Sequence, residues 1–164
     1  YGGNLFEPEG TNPSDWYVFH VGHTSDLLLG GAGNDRIEFD QSDTVTGGAG
    51  ADTFVGFVGD PLMPLVTDFV AGEDEMILHL GPSDSDFRHV VVDEQDGDML
   101  ISHAGDSMVR IEGGADLVVG FQIDTSNGST LYYTDLDGNV VDRAALDVIV
   151  DIYESRIIWT HPVE

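Results

Sequence analysis

Apolar residues along this chain fall in short runs bounded by glycine, aspartate or asparagine, a pattern that predicts strands throughout. The first run is 16–19 (WYVF), whose aromatic residues would cap whatever stacks above them. Residues 65–80 read as strand, turn at 71–74, strand. Met76, Leu78 and Leu80 alternate there with Ile77 and His79 on the two faces. Residues 89–92 and 99–102 flank Asp96-Gly97, a hairpin turn signal, and 106–112 adds another strand before Gly113-Gly114. Residues 117–123 give a further strand, and 129–141 a second hairpin around Asp135-Leu136-Asp137-Gly138. Residues 142–159 stay ambiguous: Arg143-Ala144-Ala145-Leu146 favours helix, whereas Val148-Ile149-Val150 and Ile157-Ile158-Trp159 favour strand.

Between 21 and 55 a different order takes over. Residues 30–38 (GGAGNDRIE) and 47–55 (GGAGADTFV) both fit G-G-x-G-x-D-x-U-x, where U is a large apolar residue. Ile37 and Phe54 stand at the same phase, which a Gly/Asp-rich linker would not produce. The glycines permit backbone conformations closed to other residues, so six residues turn tightly and aim carbonyl oxygens inward. The Asp adds a carboxylate, and carbonyls with carboxylates are the hard oxygen ligands that Ca²⁺ prefers. One turn has too few oxygens to surround the ion, so a stacked neighbour must supply the rest. Two decayed copies surround the full ones. Residues 21–29 keep Gly22, Asp26 and Leu28, and 39–46 end in Asp43-Thr44-Val45-Thr46. If each repeat forms half a coil, the first stacks on the third and the second on the fourth.

The motif resembles the calcium-binding nonapeptide repeat of hemolysin-type RTX proteins, a family of secreted bacterial proteins. Residues 65–80 (LVTDFVAGEDEMILHL) resemble the segment that follows such repeats, through Val66, Asp68, Phe69, Gly72, Asp74 and Ile77. The resemblance implies an all-β fold: a short right-handed parallel β-roll capped by antiparallel β-strands. It also implies a ligand set of Gly31, Gly33 and Asp35 from one turn with Gly47, Ala49 and Asp52 from the next. The opposite edge would offer Thr24, Asp26 and Asp43, a weaker site with few glycines. Asp68 and Asp74 would bind a further Ca²⁺ or cap their turn. Four segments follow: a lead-in and capping segment 1–20, repeats 21–55, capping strands 56–126, and a C-terminal hairpin and tail 127–164. The tail stands where this family keeps its export signal.

Charge sharpens this picture. Five Lys+Arg stand against 31 Asp+Glu, a formal charge of −26, so the chain cannot neutralise phosphates and nucleic acid is excluded as a partner. Self-repulsion at that density should keep the metal-free chain expanded, and divalent cations are the natural counter-charge. There is no cysteine, so calcium would have to do the work of a disulfide staple in an exported protein. No stretch approaches 18 consecutive apolar residues, so no transmembrane segment is expected. No signal peptide is recognisable, which carries little weight in a chain beginning at Tyr1.

Catalytic patterns are missing: no thiol, no G-x-S-x-G, no H-E-x-x-H. His20-x-x-His23 has no third ligand nearby, and an EF-hand register on Gly138 would put Tyr133 and Ala144 where carboxylates are required. The expectation is therefore a non-enzymatic, secreted bacterial module that folds on Ca²⁺ outside the cell after passing a type I exporter. Two alternatives stand beside it. One is an adhesive or polysaccharide-binding module reading a glycan or cell surface, with Trp16, Tyr17, Tyr132, Tyr133 and Trp159 as its aromatic candidates. The other is calcium-triggered self-processing at Asp60-Pro61.

Overall fold

The structure, a computed structural model, describes residues 17–19, 25–40, 42–57, 62–80, 89–124 and 130–153. The D-x-U-x end of each repeat runs as a strand. These are β2 (Leu27–Ala32), β3 (Arg36–Phe39), β4 (Thr44–Ala49) and β5 (Thr53–Phe57). β2 pairs in parallel with β4, Leu28 opposite Val45, and β3 with β5, Ile37 opposite Phe54. The U positions thus form two facing columns, and all four side chains are buried. First stacks on third and second on fourth, which makes a parallel β-roll.

The roll is longer than the repeats. β1 (Tyr17–Phe19) pairs in parallel with β3 and is the end strand of its sheet among the described residues. Residues 65–80 form no hairpin. β6 (Leu65–Val66) stacks on β4, and β7 (Glu75–His79) on β5, so this stretch is a third coil rather than the first part of a cap. The reason is side-chain phase: Val66 and Met76 continue the columns of Val45 and Phe54, and both are fully buried. The boundary expected at residue 55 therefore falls inside the roll.

Antiparallel strands extend each wall. β8 (Val90–Gln95), β9 (Asp98–His103) and β10 (Asp106–Ile111) form a meander, with β10 parallel to β6. Its turns, Asp96-Gly97 and Ala104-Gly105, have positive φ at both residues, the two-residue geometry that matches strand twist. Asp98 ties the meander together: its carboxylate accepts from the Arg110 guanidinium at 2.7 Å and from the Gly113 amide at 2.9 Å. The amide of Gly113 and the Arg110 side chain hold the Asp98 carboxyl below its ordinary range. On the other wall stand β11 (Val119–Asp124), β12 (Thr130–Asp135), β13 (Val140–Val141) and β14 (Val148–Tyr153).

The last strand of the described residues is a central one. The eight-stranded sheet runs β1-β3-β5-β7-β14-β11-β12-β13, and the six-stranded one β2-β4-β6-β10-β9-β8. β14 lies between β7 and β11, parallel to both. Val148, Val150 and Ile152 are fully buried, and Ile149 nearly so, the near-continuous apolar run that a central parallel strand requires. The helix-or-strand ambiguity resolves into both: one 3-10 turn at Arg143–Ala145, N-capped by Asp142, then β14. Leu146 packs over Gly120, where a larger residue would collide with it. Among the described residues no helix is long and apolar enough to cross a membrane.

Candidate metal centre

The roll's stacking places the aspartates of successive coils in a column. Asp52 lies one coil above Asp35 and Asp74 one coil above Asp52. Each carboxylate takes the amide of the aspartate below it, Asp35 N donating to Asp52 Oδ1 and Asp52 N to Asp74 Oδ1, both at 2.9 Å. Asp35 and Asp52 are only 2% exposed. Val70 N donates to the second oxygen of Asp74 at 2.8 Å. Asp68 stands above Gly47 and accepts from the Gly47 and Gly48 amides, each at 2.8 Å.

The glycine turns approach so closely that side chains have no room between them. A Cβ on Gly30 would sit 2.5 Å from the Gly47 carbonyl oxygen and 2.7 Å from Asp35 Oδ2, so those two oxygens converge on one point. One coil up, the second oxygen of Asp52 folds against Gly47 in the same way. Gly48 has φ of 108° and lies on the Gly31 carbonyl, a conformation and a spacing that glycine alone allows. The Gly33 carbonyl lies similarly against Gly50, and the Ala49 carbonyl accepts from Gly33 N at 2.8 Å. Of the six residues that the resemblance implied, Asp35 and Gly47 thus present oxygens to one cradle, and Asp52 joins them through the Asp35 amide. Gly31, Gly33 and Ala49 build the turn-to-turn packing around it.

Among the described residues, no three carboxylate or imidazole side chains cluster closely enough to hold a metal by themselves. A cation here would need backbone carbonyls beside the aspartates, and the turns supply them. The donor set is all oxygen, suited to a hard ion such as Ca²⁺. Fit to the ion is thus a matter of charge and space together.

The electrostatics agree. Burial pushes the Asp52 carboxyl above its ordinary 3.8, against the amide of Asp35, and repulsion from Asp74, Asp35 and Asp68 pushes it the same way. A carboxylate whose folded pKa is raised stabilises the fold below its unfolded pKa, and that contribution is lost as pH rises through the folded value. The calcium-free chain is therefore expected to gain β structure, read by circular dichroism, as pH falls from neutral toward 4, and Asp52→Asn should flatten that gain. The depressed carboxyls of Asp98 and Asp135 work in the opposite sense, and their contribution is lost at still lower pH. Identical calcium-free spectra at both pH values would refute the burial argument.

On the opposite edge Asp43, 1% exposed, is fully engaged as a cap. Its two oxygens accept from the Asp26 and Asp40 amides at 2.9 and 3.1 Å. Asp26 contributes its amide to this contact, and Thr24 lies outside the described residues. So do His20, His23, Asp60, Pro61, Trp16 and Trp159, as does the side chain of Tyr17. Tyr132 packs against the core, and Tyr133 lies on the outer face.

The placement of Asp68 on the glycine column was not read from the sequence. A signal existed: Val45-Thr46 recurs as Val66-Thr67, the two valines are paired across the coils, and the threonine hydroxyls are hydrogen-bonded at 2.8 Å. Aligning those dipeptides puts Asp68 over Gly47.

Comparison with models of known protein families finds no match, and comparison with curated proteins finds none. Among solved structures the chain is similar to the AlgE6R3 subunit of the Azotobacter vinelandii mannuronan C5-epimerase, at 23% identity and a TM-score of 0.45. The alignment covers 63% of this chain and 68% of that one. The β-roll assignment rests on the strand registers themselves.

Proposed function

We propose that this chain is a calcium-binding, non-catalytic folding module of a secreted bacterial protein. The observation that carries it is the convergence of Asp35 Oδ2 and the Gly47 carbonyl beside Gly30, inside a column of buried aspartates. Asp35, Asp52 and the turn carbonyls would hold the ion between the first and second full turns. Asp68 and Asp74 cap the amides of the coil below, at Gly47, Gly48 and Asp52. Ca²⁺, when bound, supplies the positive charge that this edge lacks.

The consequence is a coupling of metal binding to folding. With a charge of −26 the apo chain repels itself, and binding energy becomes folding energy. Extracellular calcium modules bind with Kd on the order of 10⁻⁴–10⁻³ M, too weakly to fill where calcium is scarce. Such a chain stays extended enough to thread a type I exporter and folds outside the cell.

Circular dichroism and thermal melting in EDTA, in millimolar Ca²⁺ and in millimolar Mg²⁺ test the reading. A β-rich spectrum and a cooperative melt in Ca²⁺ alone are expected. Equal melting temperatures in EDTA and Ca²⁺ would overturn it.

A further inference from the structure

We propose that the outer face of the six-stranded sheet docks a second copy of this chain, giving a face-to-face dimer of the folded protein. One register row crosses that wall: Leu27 pairs with Thr44, Thr44 with Leu65, Leu65 with Arg110, and Arg110 with Leu100. Leu28, Val45, Val66 and Ile111, next to them in sequence, are buried, so alternation turns the row outward. Leu29 and Thr46 begin the neighbouring row. Leu27 is 64% exposed and Leu29 51%.

What sets this face apart is its lack of charge. Charged residues make up 22% of the chain, yet β2, β4 and β6 (LLLGGA, TVTGGA and LV) contain no ionisable residue. The strands of the opposite wall differ: β3 carries Arg36 and Glu38, and β7 carries Glu75 and His79. Further along the row, Arg110 is paired with the Asp98 carboxylate at 2.6 Å. The threonine hydroxyls are occupied too. Thr67 Oγ1 donates to the Val45 carbonyl at 3.2 Å and is left to accept from Thr46 Oγ1 at 2.8 Å. Covering this part of the wall therefore strands neither proton.

Charge also selects the occupant. A chain of −26 repels its own copies, so two copies can close only where neither presents net charge. An isologous contact buries the same patch on both partners, and this face meets the condition twice. A cationic partner would be drawn to the aspartate edges instead. Six strands at the usual spacing span about 24 Å and six-residue strands about 20 Å, roughly 500 Å² on each copy. A total of about 1,000 Å² is near the minimum for a specific interface, so the dimer is weak and concentration-dependent. The inference goes beyond the calcium reading and rests on it only in that the wall must be folded.

Sedimentation velocity of the folded, calcium-loaded protein at rising concentration tests the proposal. Circular dichroism verifies folding first, in calcium and, if the chain folds without the ion, in EDTA as well, so failure of the calcium reading is seen apart from failure to pair. A reversible shift from the mass of one chain to twice that mass is expected. The contact is apolar and opposed by like charge, so added sodium chloride should tighten it. The double variant Leu27→Thr/Leu29→Thr extends the threonines of β4 onto β2 and keeps charge and strand propensity. It should raise the dissociation constant at least tenfold, with spectrum and calcium midpoint unchanged. Val140→Thr, at a 72% exposed valine on the edge of the other sheet, should leave the dimer intact. Folded protein that stays monomeric up to its solubility limit would overturn the proposal. So would a dimer that the leucine variant keeps, which would indicate pairing along the edge of β2, or one that Val140→Thr dissolves equally.

Discussion

An Asp52→Asn variant should need at least tenfold more calcium to fold than the parent chain, a shift of about 1.4 kcal/mol or more. Asp52 is the middle member of the column, with Asp35 below it and Asp74 above. Its second oxygen lies against Gly47, whose carbonyl lines the cradle, so losing its charge weakens that site. Asparagine keeps an oxygen for the Asp35 amide, which isolates charge from hydrogen bonding. Alanine should do more harm, because it also leaves that buried amide unpaired at about 1–3 kcal/mol. Asp43→Ala on the opposite edge is the matching control. It strips the cap from Asp26 and Asp40, so it should lower stability alike at low and high calcium. Calcium titration followed by circular dichroism measures all three. An unchanged midpoint in Asp52→Asn would remove that residue from the metal site.

The second large effect is expected at Val150→Asp, which should cost at least about 4 kcal/mol and leave a chain that does not fold cooperatively even in calcium. Val150 is fully buried on β14 and pairs with Leu78 on one side and Phe121 on the other. A carboxylate there would be placed beside Leu78 and Phe121, out of contact with solvent. Marginal stabilities of about 5–15 kcal/mol leave little to absorb such a loss. Val150→Ala removes two methyl groups without charge and should lower the urea midpoint while preserving a cooperative transition. If Val150→Asp melts like the parent, β14 is not a central strand.

Much of this was legible because it is local. Gly30-Gly31 and Gly47-Gly48 with Asp35 and Asp52 fix turn, strand and stacking within one coil. Asp96-Gly97 fixes a hairpin because two adjacent residues suffice to reverse the chain. The third coil was missed for the opposite reason. Its offset from the second coil grows from 17 residues to 21 and 22, and Asp68 replaces the glycine that would have marked it. The place of β14 has no local signature at all. Val148–Tyr153 states that a buried strand exists, but which strands flank it is decided by contacts with residues 76–79 and 119–124, far away in sequence.

β14 lies between two strands that precede it in the chain, and this sets an order of assembly. β7 and β11 touch through it, so the middle of the larger sheet stays open until nearly the whole polypeptide is available. Closing that gap joins residues about seventy positions apart, a non-local step that slows folding. A chain emerging from a pore with either end first must therefore deliver both flanks before the wall can seal. Premature collapse of the early coils alone would leave β7 with a bare edge, open to pairing with a neighbouring chain. Under the proposed function, holding the repeats apart until calcium is met would also be a safeguard against that outcome.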